Sequence, residues 1–287
     1  MASLKEVKGR IASVNNTRKI TSAMKMVASA KLHKAQAAIE SMLPYERRLH
    51  HILTDFMSNC TEVTSPFIVK REVKKVAVVV FASNTSLCGG FNANVIRHLV
   101  DLLTEYKPLG LENILVFPVG KKVADAVRKL GFRIEGDFQH MADKPSYQEA
   151  ADLAADLIKS FMHGDVDKVE LLYNHFKSTA SQILTRETYL PIDLNNEKKE
   201  EERTIDYILE PSAEELMQEM LPKVLRMKMF TVLLDSNAAE HAARTMAMQI
   251  ATDNANELLQ ELTVMYNKSR QQSITNELLD IVGGSMA

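Results

Sequence analysis

Few residues in this chain have the type and spacing to do chemistry. Leu87-Cys88-Gly89-Gly90-Phe91-Asn92 lies between an apolar run and a helical pattern. A glycine-rich strand-to-helix turn can hold phosphate on its free N–H groups. This one is neither GxGxxG nor GxxxxGK[ST], so a tight turn with Asn92 as helix cap is the stronger reading. Cys88 is a nucleophile type, but no flanking histidine or signature accompanies it, and a buried small thiol is expected. The 8 histidines contain no HxxH or HExxH spacing. His50 and His51 are adjacent and point to different helix faces. Asp152 and Asp156 share a helical face, as many surface carboxylates do. No catalytic or metal-ligating constellation emerges, and no cofactor is expected.

The composition, 46% hydrophobic and 25% charged over 287 residues, is ordinary for one or two soluble domains. The 2 cysteines, Cys60 and Cys88, stand far apart, which suits free thiols in a reduced compartment. No apolar run is long enough to span a membrane, and MASLKEVKGR lacks the apolar core of a secretion signal. The formal charge of -2 hides an asymmetry. Residues 1–39 carry eight Lys/Arg against Glu6 alone, a net of +7, whereas 212–287 carry six basic and ten acidic residues, a net of -4. Opposite charges on two long helices attract weakly. The basic segment also suits an acidic partner protein or nucleic acid, and a solvated face is an equal alternative.

The elements that would carry these residues are more informative. Ser212 to Val282 contains no glycine and one proline, Pro222. As a helix it would extend about 105 Å, longer than any ordinary domain is wide, so it must lie beside something of similar length. Leu4 to Phe56 is the candidate. Leu4, Val7, Ile11 and Val14 follow heptad steps, and a second run comprises Leu32, Ala35, Ile39, Met42, Leu49, Ile52 and Phe56. Between them Asn15 to Lys31 is polar or small on the seam, with Ile20, Met24 and Val27 off register, which predicts a contact surface. Pro44 predicts a kink or local adjustment. In the second helix the expected seam is Ala239, Ala243, Met246, Ile250, Leu258, Leu262 and Met265, interrupted by Asn254. Ser212 and Glu215 form a capping box at its start, and Gly283-Gly284 end it.

The middle alternates strand and helix patterns: strands at 75–82, 113–119, 169–174 and 182–190, helices at 92–106, 121–130 and 146–162, the last opened by a Ser146–Glu149 capping box. This predicts an α/β fold class, with a long antiparallel two-helix coiled coil from both termini and a central Rossmann-like βαβ domain with a mostly parallel sheet. The expected division is 1–58, N-terminal coiled-coil helix; 73–195, central α/β domain; 196–208, linker; 209–287, C-terminal coiled-coil helix. Asn195 to Arg203 reads as an exposed linker or hairpin tip, and Thr204 to Glu210 as a short strand.

If Phe56 lies level with Ser212, Leu4 lies level with about residue 264 and Met24 with about Arg244. The second helix then overhangs by about 27 Å and carries Ile274, Leu278, Leu279, Ile281 and Val282 without a partner from this chain. A lone helix with such residues is sticky. The tip is predicted to sit in an apolar pocket of another protein.

Both ends resemble one family. Ile11-Ala-Ser-Val-Asn-Asn-Thr-Arg-Lys-Ile-Thr-Ser-Ala-Met-Lys-Met-Val is similar to the opening of the gamma subunit of F-type ATP synthases. His241-Ala-Ala-Arg-Thr-Met-Ala-Met through Ala251-Thr-Asp-Asn-Ala, and Tyr266-Asn-Lys-Ser-Arg-Gln-Gln-Ser-Ile-Thr-Asn-Glu-Leu, resemble its closing signature. Leu87-Cys-Gly-Gly-Phe-Asn matches its central glycine motif. The likeness covers essentially the whole chain. It implies a rotor: an antiparallel coiled coil inside a ring of alpha and beta subunits, with a foot on the epsilon subunit and membrane c-ring. Proton flow (sodium in some species) then drives ATP synthesis on the beta subunits, and this chain supplies torque without a catalytic site of its own.

By resemblance, Met24, Arg270, Gln271 and Thr275 contact beta subunits, and Arg244 pairs across the shaft near the methionine. Tyr207 and Glu210 lie by the epsilon subunit and c-ring, and Leu278, Leu279, Ile281 and Val282 form the apolar tip in its bearing. The resemblance implies a bacterial complex at the cytoplasmic face of the plasma membrane. No membrane span and no nucleic-acid partner are expected. Asn84-Thr85-Ser86 stand where the family has Asp-Arg-Gly, which removes any contact those charges make. The plant-chloroplast insertion with its cysteine pair is absent, so no thiol switch is expected. The rival reading is a nucleotide-binding α/β enzyme with helical dimerisation arms.

Overall fold

The computed structural model describes residues 4–59, 66–69, 71–192 and 213–285. Helix α1 runs Leu4–Asn59 and passes Pro44 without a break. Helix α6 runs Ala213–Ser285, 73 residues, and passes Pro222 likewise. It also continues to Ser285 through Gly283 and Gly284, where the sequence predicted its end: glycine permits a helix stop but does not force one. Between them lie β1 (Val76–Phe81), α2 (Phe91–Tyr106), β2 (Ile114–Val119), α3 (Lys121–Leu130), β3 (Arg133–Ile134), α4 (Gln139–Asp143), α5 (Tyr147–His163), β4 (Lys168–Ser178) and β5 (Ser181–Leu190). The expected linker and short strand at 196–210, and the Ser212 cap, lie outside the described residues.

The sheet has the order β3-β2-β1-β4-β5. Its strands are parallel except β5, which returns antiparallel beside β4. All of β1 is buried, as its unbroken apolar run requires of a strand covered on both faces. On one face Val76, Val78 and Val80 pack on α2 and α3. On the other, Ala77, Val79 and Phe81 share a core with Leu153, Leu157 and Phe161 of α5 and with Leu221, Met229 and Leu233 of α6. The lower part of α6 is thus one of the sheet's own covering helices. This is how the α/β unit and the shaft become one body.

Further up, α6 leaves the sheet and pairs with α1 alone. Thr21 lies beside Thr252 and Arg18 beside Asn256. Leu4 is therefore level with about residue 269, and Met24 with about 249, five residues beyond the expected register. The α1 heptad is also unbroken from Leu4 to Met42: Arg18, Thr21, Lys25 and Ala28 hold seam positions and are buried or half-buried like their apolar counterparts. The seam of α6 is corrected too. Thr245, Met248, Thr252, Ala255, Leu259, Leu262 and Tyr266 face α1. Met246, Ile250, Leu258 and Met265 are 42–52% exposed. Threonine and alanine share this seam with Met248, Leu259, Leu262 and Tyr266, while a second set of large apolar side chains is turned outward.

Ser146 is the N-cap of α5, as expected, but its side chain makes no capping bond. Glu149 turns instead to His140 of α4, 2.8 Å away. Asn92 does not cap α2; Gly90 stands at that position. The Asn92 carboxamide oxygen accepts from the Ser83 N–H at 3.1 Å and ties the turn to the end of β1.

Candidate functional site

Two surfaces stand out. The first is a groove of about 330 Å³ where α1, α6 and the turn after β1 meet. Ala23, Met24, Val27, Ala28 and Lys31 line one side, and Thr85, His241 and Arg244 the other. Arg244 is nearly buried, and its guanidinium donates to Glu240 Oε1 at 2.6 Å, to Thr85 Oγ1 at 2.9 Å and to His241 Nδ1 at 3.4 Å. Burial pushes the Glu240 carboxyl up, opposed by Arg244. Burial, with the cationic Arg244 and Lys31 beside it, pushes the His241 imidazole down to about 4. His241 is therefore neutral at physiological pH and accepts from Arg244. Met24 and Arg244 share the wall of this groove without standing level across the seam.

Thr85 belongs to the segment that departs from the Asp-Arg-Gly pattern. Its hydroxyl is the acceptor that links Arg244 to the α/β unit, and an arginine there would set two cations together. Asn84 bridges two elements: its carbonyl accepts from the Lys121 N–H and its amide donates to the Gln139 carbonyl, both at 2.8 Å. An aspartate could make only the first bond. The glycine motif that follows is docked on the shaft. Cys88 and Phe91 are buried against Ala239 and Ala243, and Gly89, at φ +59, has Ala247 beneath it. Its residue types serve close approach to a helix.

The second surface is the outward face of the upper shaft. Ile20 and Val27 are each 59% exposed, and Met24 is half-buried beside them. At the far end Arg270, Gln271 and Thr275 are exposed, and the Thr275 hydroxyl donates to the Gln271 carbonyl. Leu278, Leu279, Ile281 and Val282 are 55–68% exposed. Level with about residue 269, α1 reaches the first described residue, so the overhang is about 20 Å to Val282, shorter than expected. Tyr207 and Glu210 lie outside the described residues.

Sequence reasoning missed Glu240, His241 and Thr85. Glu240 and Arg244 at i,i+4 inside an alanine-rich stretch were a readable signal of a buried ion pair. It also missed a polar cluster on the α2 side of the sheet, where Glu170 binds Arg186, Lys168 and Tyr106. Among the described residues no group of three or more His, Cys, Asp or Glu side chains could hold a metal.

Fold and site together define a two-helix shaft with an α/β unit fused to its lower flank and large apolar residues exposed along its outer face. A family model described as ATP synthase matches residues 3–287. The ATP synthase gamma chain of Phocaeicola vulgatus is 81% identical over the whole of both chains. That of Flavobacterium johnsoniae is 43% identical, covering 100% of this chain and 99% of its own. The chain belongs to the ATP synthase gamma-chain family. Two solved structures of Euglena gracilis mitochondrial ATP synthase show the same fold. The rotor, state 1, has a TM-score of 0.62 at 20% identity over 94% of this chain and 98% of that one. The OSCP/F1/c-ring assembly, state 3, has a TM-score of 0.63 at 21% identity over 99% and 94%.

Proposed function

We propose that this chain is the central-stalk rotor of an F-type ATP synthase, turning inside a ring of alpha and beta subunits. The carrying observation is the outer face of the upper shaft: Met246, Ile250, Leu258 and Met265 are turned outward, and the tip at Leu278, Leu279, Ile281 and Val282 is apolar and exposed. That pattern suits a helix pair whose outer face is covered by other chains. In this reading Met24, with Arg244 held behind it, meets a beta subunit at the groove. Arg270, Gln271 and Thr275 engage beta subunits higher up, and Leu278, Leu279, Ile281 and Val282 sit in the bearing. Tyr207 and Glu210 belong to the foot on the epsilon subunit and the c-ring. The parts are helix 1–58, α/β unit 73–195, linker 196–208 and helix 209–287. The complex stands on the cytoplasmic face of the bacterial inner membrane, and catalysis resides on the beta subunits. Among the described residues no helix is long and apolar enough to cross a membrane.

Removing successive segments back from Ala287 tests this. Loss of 278–287 weakens the complex or its coupling. Unchanged coupled ATP synthesis after removal of everything beyond Tyr266 would count against the role of the tip.

A further inference from the structure

Phe176, near the end of β4, sits where three parts of the molecule meet. Its half-buried ring packs against two clusters, one of Leu32 and Ala35 of α1 with Ala238 and Ala242 of α6, the other of Cys88 and Phe91 with Ala239 and Ala243 of α6. Asp235 of α6 fastens the same strand from the shaft side. Its Oδ1 accepts from the Phe176 N–H at 2.8 Å, and its Oδ2 stands 2.6 Å from His175 Nδ1, which carries the proton because a carboxylate only accepts. The Asp235 side chain is 15% exposed.

Besides this contact, α6 meets β5 through the Tyr189 hydroxyl, which donates to the Leu225 carbonyl at 2.8 Å, and through Lys228 and Glu187 at 3.0 Å; the remaining contact with the sheet is apolar. The apolar part of this contact resists separation but is less directional than a hydrogen bond. Hydrogen bonds depend steeply on distance and angle, and charge-assisted ones most strongly. One carboxylate that holds two consecutive strand residues therefore fixes the strand against movement along and around the helix. The ring it secures packs against the cluster that joins both helices of the shaft.

We infer that Asp235, holding His175 and the wedged Phe176, is the joint through which turning force passes between the α/β unit and both shaft helices. Asp235 is a positioning residue in this role: it acts through Phe176 and touches no reacting group. The inference rests on the rotor reading.

The test uses the whole complex in inverted membrane vesicles, with ATP hydrolysis and ATP-driven proton pumping measured side by side. The variants are Asp235→Ala, Phe176→Ala, Asp235→Asn and, as a control for simple loss of stability, Val232→Ala in the buried core of the same helix. With the gradient collapsed by an ionophore, Asp235→Ala and Phe176→Ala hydrolyse ATP at the wild-type rate. Against a gradient their protons pumped per ATP fall about tenfold, the factor carried by one charge-assisted hydrogen bond. Asp235→Asn keeps an acceptor for the Phe176 N–H and falls in between. Val232→Ala pumps normally for the amount assembled. Normal pumping per ATP in both Asp235→Ala and Phe176→Ala overturns the joint, as does an equal loss in Val232→Ala. If Asp235→Ala does not assemble, Phe176→Ala and Asp235→Asn decide by the same criterion. A complex of the remaining subunits that pumps normally with this chain absent overturns the rotor reading itself.

Discussion

The hydroxyls of Thr21 and Thr252 meet at 2.9 Å inside the seam between the two long helices. Each also lies within hydrogen-bond distance of a carbonyl on its own helix, Arg18 for Thr21 and Met248 for Thr252. The pair sets the register of the shaft between Arg18 and Lys25 of α1 and Met248 and Ala255 of α6. The two hydroxyls find their hydrogen-bond partners within the helix pair.

Replacing both partners by a side chain of the same shape therefore costs little. The double change Thr21→Val with Thr252→Val is expected to leave the stability of the isolated chain unchanged or to raise it by up to about 1 kcal/mol, because no buried donor is left unpaired. Urea unfolding at pH 7 measures this. A loss of more than about 1 kcal/mol would mean that the two hydroxyls hold the helices together beyond their packing.

The exposed tip makes the opposite prediction for stability and for assembly. Leu278 and Ile281 are 58% and 68% exposed. Leu278→Ser with Ile281→Ser is expected to change the isolated chain by no more than about 0.5 kcal/mol per site, since nothing in the chain packs on them. If a partner buries both, each is worth about 1.5–3 kcal/mol in the complex. Affinity for the partner subunits then falls at least about a hundredfold. Unfolding of the free chain and dissociation of the complex, measured on the same variant, separate the two effects.

The sheet was readable in the sequence because a parallel strand covered on both faces leaves an unbroken β-branched run, as in Val76 to Phe81. The helices around it announced themselves by apolar spacing and by a glycine stop such as Gly131, which adopts the left-handed conformation. The two residues of β3 are too few to show any period. The seam of α6 misled for a physical reason. Large apolar residues normally mark the buried stripe, but here Met246, Ile250 and Met265 lie outside it, and threonine and alanine lie within. Asp235 gave no signal, because its partners stand about sixty residues away on another element. Glu170 did give one, as a carboxylate inside the apolar run of β4.

Gly120 closes β2 against the end of β1 and has no room for a side chain. A Cβ there would lie 2.2 Å from the Ala82 carbonyl oxygen, and the residue has φ +113. Gly120→Ala is expected to cost about 3 kcal/mol or more, through strain and through displacement of the segment that carries Asn84 and Thr85. Gly9 is the contrast: it lies within α1 with nothing within 4 Å of its added Cβ. Gly9→Ala is expected to stabilise by about 0.5–1 kcal/mol. Thermal unfolding of the two variants should move in opposite directions, and a Gly120→Ala protein as stable as wild type would contradict the packing at β2.

Glu170 predicts how stability depends on pH. Burial pushes its carboxyl up, but the hydrogen bonds from Arg186, Lys168 and Tyr106 outweigh burial and hold it below the ordinary value of 4.5. Glu105 is lowered in the same direction by its bond to Arg186. A carboxyl lowered in the folded state binds its proton more tightly when unfolded. The stability it contributes is therefore present above the unfolded value and lost as pH falls through the folded one. Glu170→Gln removes the charge while Arg186 and Lys168 stay beside a 2% exposed position. Arg186 keeps Glu105 as a partner and both cations are partly exposed, so the variant is expected to lose about 1.5 kcal/mol at pH 7, the scale of a hydrogen bond to a charged group. The gap to wild type should narrow as the pH is taken below 4.5, because the wild-type carboxyl then protonates as well. Urea midpoints for both proteins at pH 7 and at successively lower pH measure the gap. A gap that stayed constant through that range would show that the Glu170 charge contributes nothing to holding β4, β5 and α2 together.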